Sequence, residues 1–179
     1  MKIVTGVFLM CLAILSPIPA QSDENELFQK SGHDLLTMTI STRKSEYGLF
    51  DQIQIDVEIT NHTDKDLYLF DISEYDISFW LKNSSTKKWI AKDKISEPFV
   101  PQSPDIRNFV RVKPQSKLTK TFTQKLADLG ADRGENYELI AKYHSPFRRS
   151  VGEQLGIPIF SSEDGTISSE CLAVRVTAQ

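Results

Sequence analysis

The nine residues from Gln52 to Thr60 alternate without a fault: Ile53, Ile55, Val57 and Ile59 are aliphatic, and Gln54, Asp56, Glu58 and Thr60 between them are polar. A period of two puts the four aliphatic side chains on one face of an extended chain, whereas on a helix they would scatter around the axis. Branching at Cβ stiffens these residues further toward the strand. The segment predicts a strand whose one face is covered by a core and whose other face meets water.

Much of the chain reads the same way. Leu36, Met38 and Ile40 alternate with Thr37, Thr39 and Ser41 as a first strand. The polar cluster Asn61-His62-Thr63-Asp64-Lys65-Asp66 makes a turn, and Leu67 to Phe70 resumes an extended course, giving a strand, turn, strand unit. From Asp76 to Lys82, Ile77, Phe79 and Leu81 oppose Ser78, Trp80 and Lys82; Asn83-Ser84-Ser85-Thr86 and the pair Trp89-Ile90 complete a hairpin. Trp80 then falls on the outer face, and Trp89 fits either face. Pro98, Pro101 and Pro104 exclude a helix from residues 96–108, the longest loop. Phe109 to Val112, Lys117 to Lys125, Tyr137 to His144 and Leu172 to Val176 read as further strands. One helical turn fits within Leu126 to Glu135, and residues 146–169, with Pro146, Gly152, Gly156, Pro158 and Gly165, read as irregular.

Seven to nine short strands without a convincing amphipathic helix point to two packed antiparallel sheets, so the expected class is all-β, an antiparallel immunoglobulin-like β-sandwich. The run Asp132-Arg133-Gly134-Glu135-Asn136-Tyr137-Glu138-Leu139-Ile140-Ala141 resembles the corner before a late strand of immunoglobulin-like domains, where a Tyr hydroxyl bonds back to the backbone; Tyr137 is the matching residue. The chain lacks the paired cysteines of antibody-type domains. It resembles instead the cysteine-poor sandwiches of secreted and cell-surface proteins, a resemblance that implies binding or scaffolding and no particular ligand. A jelly roll or another sandwich topology also fits this pattern.

Residues 1–20 have the parts of a signal peptide: Lys2, an apolar run from Ile3 to Leu15, and the small Ala20 before a polar stretch. The run is shorter than a bilayer span, and Pro17 and Pro19 stop its continuation. Bulky Leu9 and Met10 before Cys11 argue against a lipidation site. Residues 21–34 are a polar leader, and residues 35–179 form the β domain. The expected location is secreted or periplasmic.

Removing residues 1–20, with Lys2 their one charge, leaves 159 residues and turns a formal net charge of −3 into about −4. No basic run is denser than Lys87-Lys88 or Arg148-Arg149, which excludes nucleic acid as a partner, and no polybasic or amphipathic segment calls for membrane insertion after processing. Cys171 would then be the one cysteine left, so the fold stands without an internal disulfide, and a bridge through Cys171 to a second chain is open to it.

Catalysis needs a nucleophile with its base, or carboxylates driven apart in pKa. His33, His62 and His144 are scattered, without metal-ligand spacing, and a Cys171–His144 pair depends on neighbouring strands. Asp128, Asp132 and Glu135, like Asp71, Glu74 and Asp76, lack the spacing of a calcium loop. No catalytic residue, metal or cofactor is expected. Asn61-His62-Thr63 and Asn83-Ser84-Ser85 match the glycosylation pattern in turns that would tolerate a glycan. The candidate binding residues are the aromatics Trp80, Trp89, Phe99 and Phe109, with Phe147-Arg148-Arg149 a weaker patch.

These observations favour a non-catalytic exported module that recognises a protein or surface glycan. The alternatives are a proteinase-inhibitor-like protein presenting residues 96–108 as an added strand, since some bacterial proteinase inhibitors are similarly cysteine-poor sandwiches, and a hydrolase whose residues converge only in three dimensions.

Overall fold

The alternation from Gln52 onward is realised as a ten-residue strand, β3 (Gln52–Asn61), in which Ile53, Ile55, Val57 and Ile59 are at most 1% exposed. The computed structural model of the protein describes residues 35–70, 77–90 and 104–178. The signal, the leader and most of the proline-rich loop therefore lie outside the described residues, as do Phe99, Asp71, Glu74 and Asp76. Ten strands are described: β1 (Leu36–Thr42), β2 (Glu46–Tyr47), β3, β4 (Leu67–Phe70), β5 (Ile77–Asn83), β6 (Phe109–Val112), β7 (Lys117–Lys125), β8 (Asn136–His144), β9 (Thr166–Ser168) and β10 (Leu172–Val176). One α-helix, α1 (Arg149–Leu155), lies between β8 and β9.

The strands form three sheets. One runs β1-β3-β7, a second β2-β10-β8-β5 with β9 also on β8, and a small third pairs β4 with β6. Pairing is antiparallel except for β2 on β10, where Glu46 lies beside Arg175 and Tyr47 beside Val176. Residues Arg43 to Ser45 thus carry the chain from the first sheet to the edge of the second. The turn after β3 does not close a hairpin, because β4 pairs with β6.

The buried faces of the two larger sheets share one cluster that joins Ile53, Ile55 and Val57 of β3 to Phe79 of β5, Leu139 and Tyr143 of β8 and Val174 of β10. Phe79 meets Phe122 of β7 edge-on, ring centroids 5.5 Å apart. A smaller cluster, Phe70, Phe109, Phe147 and Ile159, seats α1 against the third sheet. Phe109 is thereby 7% exposed and packs on Phe70 and Phe147, which corrects its reading as a surface binding residue. Phe147 is buried with it, so the Phe147-Arg148-Arg149 patch loses its aromatic member.

Helix α1 falls in the stretch expected to be irregular. At seven residues it is too short to show a period, and its core-facing side includes Gly152, where a Cβ would meet the Ile157 carbonyl oxygen at 2.6 Å. Gly156, at φ 67°, ends it in the left-handed conformation. The two-residue β2 and three-residue β9 are likewise too brief to alternate.

Two polar side chains fix the corners. Asn61, fully buried, donates through Nδ2 to the carbonyls of Lys65, Val112 and Lys113 at 2.8, 3.0 and 3.2 Å, while its Oδ1 accepts from the Thr63 N–H. It ties the turn after β3 to the end of β6. A glycan has no room there, so the reading of Asn61 as a tolerant glycosylation turn is corrected. The Tyr137 hydroxyl, at the start of β8, accepts from the Asp132 N–H at 2.7 Å, the backward bond expected of that residue.

Among the described residues β7 has β3 on one edge and no strand on the other. Lys120 stands opposite Val57 on the core-facing side of β7 and is nevertheless exposed, an inward-facing charge that keeps an edge strand from pairing with another chain. Lys120→Val is expected to make the protein self-associate with rising concentration, read by light scattering; an unchanged monomer mass would show that the edge is guarded otherwise. Asn61→Ala, which leaves the buried Val112 carbonyl without its Asn61 donor and removes one donor each from the Lys65 and Lys113 carbonyls, is expected to lower unfolding free energy by about 1–3 kcal/mol in urea titration.

Candidate functional site

The outward positions of the second sheet carry the chemistry. Because side chains alternate, Ser78, Trp80 and Lys82 of β5 share one face with Lys142, Ile140 and Glu138 of β8, opposite them in that order. The chain leaving β5 turns back at Asn83, whose N–H donates to the Lys88 carbonyl, and brings Trp89 beside Lys82. Asn83 drives the turn: its Oδ1 accepts from the Ser85 and Thr86 N–H groups and its Nδ2 donates to Glu135. A glycan at Asn83 would forfeit the Glu135 contact.

Trp80 and Trp89 meet over one amine. The Lys142 ammonium lies 4.7 Å from the Trp80 ring centroid and 5.2 Å from that of Trp89, and Lys82 approaches Trp89 at 5.5 Å. Each ring presents its electron-rich face to a cation. Trp80 is braced by its own Nε1–H, which donates to Ser78 Oγ at 2.9 Å. Both tryptophans are half-buried, while Lys142 is only 8% exposed, and burial depresses its amine to about 8. Beside this group, Glu138 accepts from Lys87 Nζ at 2.8 Å and lies 3.7 Å from Lys82 Nζ. The Lys87 hydrogen bond is the main cause holding its carboxyl below the usual range.

Sequence reasoning found Trp80 and Trp89 but not the lysines and the glutamate between them. The signal was present: between Tyr137 and Tyr143 of β8, Glu138 and Lys142 are the charged residues, in register with Lys82 and Ser78 on either side of Trp80. Phe99 lies outside the described residues, and Phe109 belongs to the second cluster.

The cysteine–histidine pair is not assembled. Cys171 precedes the Leu172–Leu139 pair and its thiol lies against Glu138, six residues and roughly 20 Å along β8 from His144. His144 Nδ1 instead meets Thr166 Oγ1 at 3.3 Å. Partial burial, followed by the Glu138 charge, pushes the exposed Cys171 thiol upward, opposite to what a nucleophile or a readily exchanging thiol requires. His62 bonds to Thr37. Among the described residues no group of three His, Cys, Asp or Glu side chains converges on a metal position. No described helix is long and apolar enough to cross a membrane. Two shallow concavities, of about 470 Å³ beside Arg43 and Tyr47 and about 420 Å³ beside α1, lie elsewhere; Arg149 in the second is bonded to Asp164 at 2.9 Å.

The sign of the Lys142 shift makes a measurable statement. An amine that titrates near 8 when folded and at 10.5 ordinarily binds fewer protons folded than unfolded between those values, so its contribution to stability rises with pH through that window. Urea midpoints of the parent are expected to gain on Lys142→Met between pH 7 and 9.5, while the variant's own pH dependence is flatter. Parallel curves for the two proteins would refute the burial of this charge.

No family model matches the chain, and no curated protein matches it. Among solved structures it is similar to a β-glucosidase from Erythrobacter marinus, with 17% identity and a TM-score of 0.34 over 59% of this chain and 13% of that one. A likeness that slight carries no argument about fold or activity, and the chain spans about an eighth of that protein's length.

Proposed function

We propose that this protein is an exported, non-catalytic binding module, an immunoglobulin-like sandwich that recognises a protein or surface glycan through the outer face of the β5–β8 sheet. The observation that carries the reading is the pair of half-buried tryptophans, Trp80 and Trp89, standing around Lys142 on a face that would otherwise meet water. Large amphipathic rings at such positions are the side chains that dominate interfaces when truncated, and a rigid sheet holds them in place.

The sandwich reading draws support from the strand order. The first part of the chain divides between the sheets, β1 on β3 and β2 parallel to β10, and the order β2-β10-β8-β5 places the last strands beside an early one. The Tyr137 bond to Asp132 at the corner before β8 agrees with the same family. Export rests on the sequence of residues 1–20.

Affinity capture tests the reading: the immobilised protein is exposed to extracellular or periplasmic extract at low and moderate salt. A stoichiometric partner that survives moderate salt is expected, with Trp80→Ala weakening it about thirtyfold. A partner indifferent to Trp80→Ala and Trp89→Ala would place binding on another surface.

A further inference from the structure

We infer that the ligand of this face is an acidic polysaccharide, its pyranose rings stacked on Trp80 and Trp89 and its anionic groups drawn by Lys82, Lys87 and Lys142. The inference rests on the reading of the Trp80 face as the binding surface and gives it a ligand class.

Charge is the first argument. The chain carries a formal net charge of −3, yet Lys82, Lys87 and Lys142 share this face, Lys82 and Lys87 at the Glu138 carboxylate and Lys142 against the two tryptophans. The face is therefore locally cationic on an acidic protein and complements an anion. Lys87, its side chain 63% exposed, can exchange Glu138 for a ligand anion, while Lys142, covered by the two rings, contributes through its field.

The cations fix the ligand's charge. All three are lysines, whose compact ammonium groups take a carboxylate, sulfate or phosphate oxygen alike, so they set the sign of the ligand's charge and not its anionic group. Arg175, on the outer side of β10, is engaged with Glu46 at 3.3 Å.

Backbone accounting separates a glycan from a peptide. On this face β8 has β5 on one side and β9 and β10 on the other, and β5 is flanked beyond by the returning chain, where Ile90 N–H donates to the Leu81 carbonyl at 2.9 Å. Among the described residues, the edge of β5 beside Trp80 and Lys82 is thus taken at its Leu81 end, where an extended peptide cannot join as a strand. A saccharide needs only flat rings for its apolar C–H faces and cations for its charge, and the two indoles and three amines supply both.

The purified protein would be run in native gels containing polygalacturonate, neutral dextran or dextran sulfate, with affinities from calorimetry. Retardation by polygalacturonate and none by dextran is expected, with a loss of about tenfold or more in Trp80→Ala. The exposed substitution Lys87→Gln, which leaves the core untouched, is expected to weaken binding about two- to fivefold. Equal binding to dextran sulfate that ignores Trp80 would reduce the effect to bulk charge and overturn the inference, as would equal binding to dextran. If no polysaccharide binds but a protein partner dependent on Trp80 is captured, the ligand class falls and the binding face stands. If neither binds, both fall.

Discussion

With Cys171 free and no disulfide among the described residues, the fold depends on the close fit of two apolar sheet faces. On one side of that fit stand Ile53, Ile55, Val57 and Ile59, on the other Leu139, Ala141 and Tyr143, all at most 1% exposed. Apolar burial is non-directional, so it brings the sheets together without fixing how their ends connect. That part falls to directional bonds: Asn61 at the turn after β3 and the Tyr137 hydroxyl before β8 each hold backbone groups that the sheets leave unpaired.

The face that points away from the core obeys a different balance. An amine removed from water costs free energy, and its depressed titration is the signature of that cost. Two indole rings recover part of it through their negative faces, and in doing so are held half-exposed in a fixed orientation. The same contact that shelters Lys142 therefore presents a rigid aromatic surface beside Lys82, Lys87 and Glu138. Rigid rings lose little entropy when a ligand arrives, which is why such a surface suits recognition better than a set of mobile side chains.

Alternation placed β1, β3, β5, β8 and β10 to within a residue, and the turns and prolines between apolar segments placed β4, β6 and β7. It failed at β2, β9 and α1. Two or three residues cannot alternate, and seven cannot establish a helical period when a glycine occupies the packed side. It also failed at Phe109: a phenylalanine beside a proline-rich loop looks the same in sequence whether it faces water or, as here, Phe70 and Phe147.

The sequence by itself determined that the chain is β-rich, which residues face inward along each long strand, and that Trp80 points away from the core. These are local properties, set by the two-residue period of extended backbone and by side-chain chemistry. Tertiary structure decided the rest: the parallel seat of β2 on β10, the burial of Asn61 in a turn that reads as a surface sequon, and the meeting of Trp80, Trp89 and Lys142. Each of these depends on which strands become neighbours and in what register, and residues more than fifty positions apart carry no local mark of that choice.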